Sequence, residues 1–149
     1  MFKKTILSLL TVLFVSGLIS ACSGNKTAEQ TEVPANQSVR PTPPAEYAGN
    51  KNPYAGDENA IEVGKSIYNT NCSPCHGESG MGDGPAAASL NPKPQPLAMN
   101  QNFLGDDYMY WRIAEGGSQE PFKSTMPAWK GVLEPGEIWQ IVTYLHTFK

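Results

Sequence analysis

Cys72, Cys75 and His76 stand together in the run Cys72-Ser73-Pro74-Cys75-His76. Two thiols three positions apart, with an imidazole directly after the second, are the donor set that attaches a c-type haem. Each thiol can add to one vinyl group of the macrocycle, and the adjacent imidazole is then held under the ring as an iron ligand. The porphyrin becomes part of the covalent chain and is not lost to solvent. The same two cysteines could instead form a redox dithiol or a metal site. The immediate histidine and one well-placed methionine downstream favour the haem.

The iron's task depends on its second axial ligand. The methionines after His76 are Met81, Met99, Met109 and Met126. Met81 is too close to reach the opposite haem face. Met109 lies between Tyr108 and Tyr110 in a predicted helix, where a core role fits. Met126 lies in Ser124-Thr125-Met126-Pro127-Ala128-Trp129, after Gly116-Gly117 and before the last predicted helix, with Pro127 stiffening the backbone behind it. Met126 is therefore the expected ligand, and Met99, in a Pro-rich stretch, is the alternative. His146, the only other histidine, falls in the last predicted helix as a surface residue. Ligation by His76 and Met126 raises the reduction potential and fills both axial positions. No small-molecule substrate is then expected at the iron, and the chain reads as an electron carrier and not as an enzyme. The alternative is a haem enzyme, or a gas or redox sensor, with a displaceable sixth ligand. Trp129, beside the ligand loop, is the tryptophan expected to line the pocket; Trp111 and Trp139 are assigned to packing.

The elements that must position these residues are helical. Asp57 or Asn59 can cap a helix running to about Asn69, with Ile61, Gly64, Ile67 and Tyr68 on one face. A second predicted helix starts at Asp106 or Asp107 and ends before Gly116-Gly117. The last starts near Pro135, with Glu137 in its first turn and Ile138, Ile141, Val142 and Leu145 as its apolar stripe. A short helix around Ala86–Leu90 is expected, and Pro92, Pro94 and Pro96 force an extended loop. No alternating strand pattern is found. The fold class is all-α, with long loops shaped around one covalent haem, which supplies core that so short a stretch lacks.

The N-terminal region divides the chain into 1–21, 22–56 and 57–149. Met1-Phe2-Lys3-Lys4 precedes an apolar run of fourteen residues, Ile6–Ile19, which is the layout of a signal peptide. The run is shorter than the roughly 20 apolar residues of a spanning helix. Ile19-Ser20-Ala21-Cys22 resembles a bacterial lipobox, which implies that Cys22 becomes an acylated N-terminus. An ordinary signal peptide or an uncleaved anchor are the alternatives, and each places the domain outside the cytoplasm, facing the membrane. Residues 22–56 are rich in Thr, Glu, Gln, Ala, Asn and Pro and are expected to be a disordered, lipid-anchored linker. Tyr47 within it is expected to face solvent. Loss of Lys3 and Lys4 with the signal peptide takes the formal charge from −3 to −5. An acidic surface argues against nucleic acid or anionic lipid as a partner and favours a basic or apolar docking site.

From about Asp57 to the C-terminus the chain resembles a class I c-type cytochrome. The resemblance rests on Cys72-Ser-Pro-Cys-His-Gly77, Gly82-Asp83-Gly84-Pro85, Gly116-Gly117, Met126-Pro127-Ala128-Trp129 and a final helix with Trp139 and Tyr144. It implies a close crossing of the first and last helices, with Gly64 and Tyr68 on one side and Tyr144 or Trp139 on the other. It also implies that a proline carbonyl accepts the His76 Nδ1–H, with Pro85 the best match and Pro94 the second. Such a bond would fix the ring and raise its basicity. The loops look like those of bacterial respiratory mono-haem cytochromes, and a lysine-rich haem rim is not evident. The implied partners are redox proteins or a host respiratory complex, either quinol-oxidising, such as alternative complex III, or a terminal oxidase.

Overall fold

A computed structural model describes residues 40–149. The expectations for the signal peptide, for Cys22 and for most of the linker lie outside the described residues. The elements in chain order are α1 (Glu58–Asn71), α2 (Ser73–His76), α3 (Leu97–Asn100), α4 (Asp106–Glu115) and α5 (Pro135–Leu145). Single 3₁₀ turns lie at Ala87–Ser89 and Gln101–Phe103. Among the described residues there is no strand, only one isolated bridge between Lys130 and Leu133. The fold is all-α. No described helix is long and apolar enough to cross a membrane.

The three long helices begin where the sequence signals them. Asp57 caps α1 by accepting the backbone N–H groups of Asn59 and Ala60. Glu134 and Glu137 form a reciprocal capping box on α5, with Pro135 in the first turn. Asp106 and Asp107 occupy the first turn of α4, and Gly116 follows its last turn. Two short helices, α2 and α3, carry no periodic pattern and are not legible from the sequence.

The core sits where α1 crosses α5, the most extensive contact between elements. A Cβ built on Gly64 would lie 2.0 Å from the carbonyl oxygen of Gln140, so the two helix backbones touch there. One turn on, Tyr68 packs its ring on Tyr144 at 5.4 Å and on Phe148 at 5.3 Å. Tyr144 is thus the aromatic of the crossing. Trp139 turns to the other side of α5 and stacks on Tyr110 of α4 at 4.2 Å. Tyr68, Ile138, Ile141 and Val142 are the largest side chains fully withdrawn from water, and burial of each contributes on the order of 1.5–3 kcal/mol.

The segment 40–56 departs from expectation. It lies along α4 and α5 as a strap, and the packed unit starts near residue 40 instead of 57. Tyr47 is only 7 % exposed. The Gly49 N–H donates to Asp107 Oδ2 at 2.8 Å, and Asn52 Nδ2 donates to Thr143 Oγ1 at 2.9 Å. The Thr143 hydroxyl also donates to the Tyr54 carbonyl, and Arg40 donates to Asn100 at 3.1 Å. Composition averages over the segment, but a few specific contacts do the ordering. One buried ring and several hydrogen bonds offset the entropy that the polar content alone could not.

Candidate haem site

Cys72 ends α1 and starts α2, so the chain turns sharply at the first thiol. Pro74 suits the first turn of so short a helix. The N–H groups of Cys75 and His76 both donate to the Cys72 carbonyl, at 3.1 and 2.9 Å. The thiols of Cys72 and Cys75 are free and half-buried, on one helical turn with the His76 ring.

The loop after α2 folds back to satisfy the turn's carbonyls. Gly77 donates to Ser73, Ala86 to Pro74, Gly84 to Cys75 and Gly82 to His76, at 2.8 to 3.3 Å. The buried Tyr68 hydroxyl donates to the Gly77 carbonyl at 2.8 Å, which links the turn to the α1–α5 crossing. Nothing in the sequence marked that hydroxyl, because a helical tyrosine reads as core.

Burial sets the protonation of the turn. It pushes the Cys72 thiol up to about 12, with Cys75 adding to the effect, so Cys72 keeps its proton at neutral pH. Burial also lowers the His76 pKa, and the Gln95 backbone partly opposes this. His76 is therefore neutral at neutral pH. Its Nδ1 is buried without a partner in full hydrogen-bond geometry.

No carbonyl reaches His76 Nδ1 in full hydrogen-bond geometry. Pro85 is exposed, and no hydrogen bond joins it to His76. Gly84 lies against the Ser73 and Pro74 carbonyls, where a Cβ would come within 2.5 Å of each. That contact seats Gly84-Pro85 on the backbone of the attachment turn. The backbone influence that opposes the lowering of the His76 pKa comes from Gln95, inside the Pro94-Gln95-Pro96 stretch and next to the second-choice Pro94. It acts through its main chain, so no side-chain type could announce it.

Met126 lies on a loop pinned to the end of α4. The Gly117 N–H donates to the Met126 carbonyl at 2.9 Å, and Ser124 N–H donates to the Gly117 carbonyl at 2.7 Å. Trp129 and Lys130 donate to the carbonyls of Ile113 and Ala114 at 3.0 to 3.2 Å, covering the orphan end of the helix. Gly116 has φ +69°, and a Cβ there would lie 2.6–2.7 Å from backbone atoms of Met126, Pro127 and Ala128. Only glycine fits that junction. Met126 and Trp129 are half-buried and pack on the same core as Cys72. Of the other methionines, Met109 is core, and Met81 and Met99 are exposed. His146 is exposed and paired with Asp106 at 2.7 Å.

The donor set fits a haem. Two free cysteines and a neutral imidazole with an orphaned Nδ1 stand on one turn, and Cys72 packs on the same core as the half-buried Met126 thioether. No cluster of three or more His, Cys, Asp or Glu side chains suited to a bare metal ion occurs among the described residues. A helical fold carrying this turn and this loop defines a c-type cytochrome.

Comparison with known proteins agrees. The chain belongs to the family described as cytochrome c oxidase, cbb3-type, subunit III, whose model matches residues 59–145. Membership of a cytochrome c family implies haem c as the cofactor. Subunit CcoP of a cbb3-type cytochrome c oxidase from Azospirillum brasilense is 31% identical over 104 residues, which cover 68% of this chain and 33% of that protein. Cytochrome c550 of Pseudomonas aeruginosa is 28% identical over 97 residues, 65% of this chain and 61% of that one. The chain thus spans about a third of the length of the oxidase subunit that it matches. Among solved structures, cytochrome CL of Methylophaga aminisulfidivorans is similar with a TM-score of 0.48 and 25% identity, covering 65% of this chain and 60% of that one.

Proposed function

We propose that this chain is a membrane-tethered, mono-haem electron-transfer protein of a bacterial respiratory or photosynthetic chain. One haem c is attached through Cys72 and Cys75, with His76 and Met126 as axial ligands and Trp129 lining the pocket. The observation that carries this is the attachment turn: two free cysteines, the Cys72 thiol kept protonated by burial, and a neutral imidazole, every neighbouring carbonyl already satisfied. When bound, the haem supplies a one-electron couple.

The chain's own residues do the rest. Cys72 and Cys75 would hold the haem through thioether bonds, each formed by addition of the S–H across a vinyl group with no oxidant consumed. With its proton on Nδ1, the neutral His76 would offer the Nε2 lone pair to the iron. The Met126 loop, fixed by its own backbone bonds, brings a thioether at little entropic cost. With His76 and Met126 both held, the iron would have no open position for a substrate, which suits one-electron transfer. The expected outcome is that the chain denatured in acid still carries one haem, and that the reduced native protein binds carbon monoxide poorly. Loss of the haem on denaturation would remove covalent attachment; avid carbon monoxide binding would favour the enzyme or sensor alternative.

The redox partner is a respiratory complex with a basic or apolar docking site. The likeness to an oxidase subunit favours a terminal oxidase over a quinol-oxidising complex as that host. We place the domain on the extracytoplasmic side, tethered through an acylated Cys22. Cys22→Ser is expected to move the haem-loaded protein from the membrane to the soluble fraction. If it stays with the membrane, something other than a lipid on Cys22 holds it there.

A further inference from the structure

The strap meets the ligand loop at one cluster. Glu115 directly precedes Gly116-Gly117, which pairs with Met126, and Lys130 lies four residues beyond Met126. These two side chains, one at each edge of the loop, pair at 3.0 Å. The Tyr47 hydroxyl donates to the Glu115 carboxylate and accepts from Lys130 Nζ at 3.3 Å. The ammonium also lies 5.9 Å from the Tyr47 ring centroid.

Resting on the assignment of Met126 as a ligand, we infer that Tyr47 is a positioning residue that braces the Met126 loop against the end of α4 through Glu115 and Lys130. The tie between Glu115 and Lys130 is largely exposed, with side chains 35% and 68% accessible, and contributes little alone. Tyr47 changes this by bringing a buried ring and its hydroxyl to the pair. The ring packs against Tyr110 at 6.0 Å, and Tyr110 is stacked on Trp139 of α5. The loop is thereby tied to two helices instead of one. The strap is itself fixed on either side of Tyr47, to Asn100, Asp107 and Thr143, so the brace does not drift. The hydrogen bond from Tyr47 is also the largest of the influences that lower the Glu115 pKa, which keeps the carboxylate ionised. A braced loop holds the thioether on the iron; a loosened one yields it to competitors.

The test is imidazole titration of the ferric holoprotein, alongside its thermal midpoint. Imidazole must displace the methionine, so its apparent affinity reports how firmly the loop is held. Tyr47→Phe, which keeps the ring and loses one hydrogen bond, is expected to raise that affinity about fivefold. Tyr47→Ala is expected to raise it further, about tenfold or more. Asn52→Ala unties the strap from Thr143, away from the loop; it should lower the thermal midpoint and leave imidazole affinity within about twofold. The inference is overturned if the Tyr47 variants lower stability and leave imidazole affinity unchanged, or if Asn52→Ala raises affinity as much as Tyr47→Ala. Met126→Ala separates the premise: if it binds imidazole no better than the parent protein, the ligand assignment fails, and the brace with it.

Discussion

Met126→Ala is expected to lower the midpoint potential of the holoprotein by on the order of 0.1 V or more, within the roughly 0.8 V span that axial ligands set. A thioether is a weak donor that favours the reduced iron, so its loss favours the oxidised form. The loop should survive the change. Its hydrogen bonds run through main-chain atoms of Gly117, Ser124, Met126, Trp129 and Lys130, and none uses the thioether. Removing a half-buried methionine side chain costs less than the roughly 2–5 kcal/mol typical of a fully buried one. The variant should therefore fold, hold its haem and bind carbon monoxide and imidazole avidly. Met99→Ala is the control, since Met99 is 62% exposed and should leave the potential unchanged. If the two substitutions exchange effects, the ligand is Met99. Potentiometry with optical detection decides between them.

The second large effect concerns the fold. Gly64→Ala in an exposed helix would add about 1 kcal/mol of stability. Here the sign reverses. The new Cβ would sit 2.0 Å from the Gln140 carbonyl oxygen and 2.6 Å from its carbon. Both are backbone atoms inside α5, so no rotamer change relieves the clash. The helices must separate by more than about 1 Å, which opens the contacts of Tyr68 with Tyr144 and Phe148. A loss of about 3–5 kcal/mol is expected, a large share of the 5–15 kcal/mol that holds a typical domain. Thermal unfolding of the holoprotein should fall by roughly 10–20 °C or more. A midpoint within about 3 °C of the parent would mean that the crossing relaxes far more easily than its geometry implies. Because Tyr68 also hydrogen-bonds the Gly77 carbonyl, the same substitution should disturb the attachment turn.

The two helices that cross were legible in side-chain types at fixed spacing, and their crossing was implied by the resemblance to class I c-type cytochromes. Gly64 and Tyr68 lie one turn apart, and the stripe from Ile138 to Leu145 follows helical period. The cap at Asp57 and the start of the last helix at Pro135 were legible for the same reason, since helix-start signals are local; the Glu134–Glu137 capping box emerged only in the structure. The strap was not. Its only hint was Tyr47 in an otherwise polar, Pro-rich stretch, and what orders it lies 58 to 91 residues away, at Asp107, Glu115 and Thr143. Composition cannot register such pairs.

By itself the sequence determined the chemistry of the site. Cys72, Cys75 and His76 are neighbours in the chain, so their covalent spacing alone puts two thiols and an imidazole on one turn. It also singled out Met126, through a glycine pair before it and a proline after it. Only the tertiary structure decided where the packed unit begins, and that Tyr47 of the strap meets Glu115 and Lys130 at the edges of the Met126 loop. Each of these depends on main-chain atoms or on partners far apart in sequence, brought together by packing against α4 and α5. Spacing within a turn is fixed by bond geometry; contacts between distant segments are fixed only when the whole core closes.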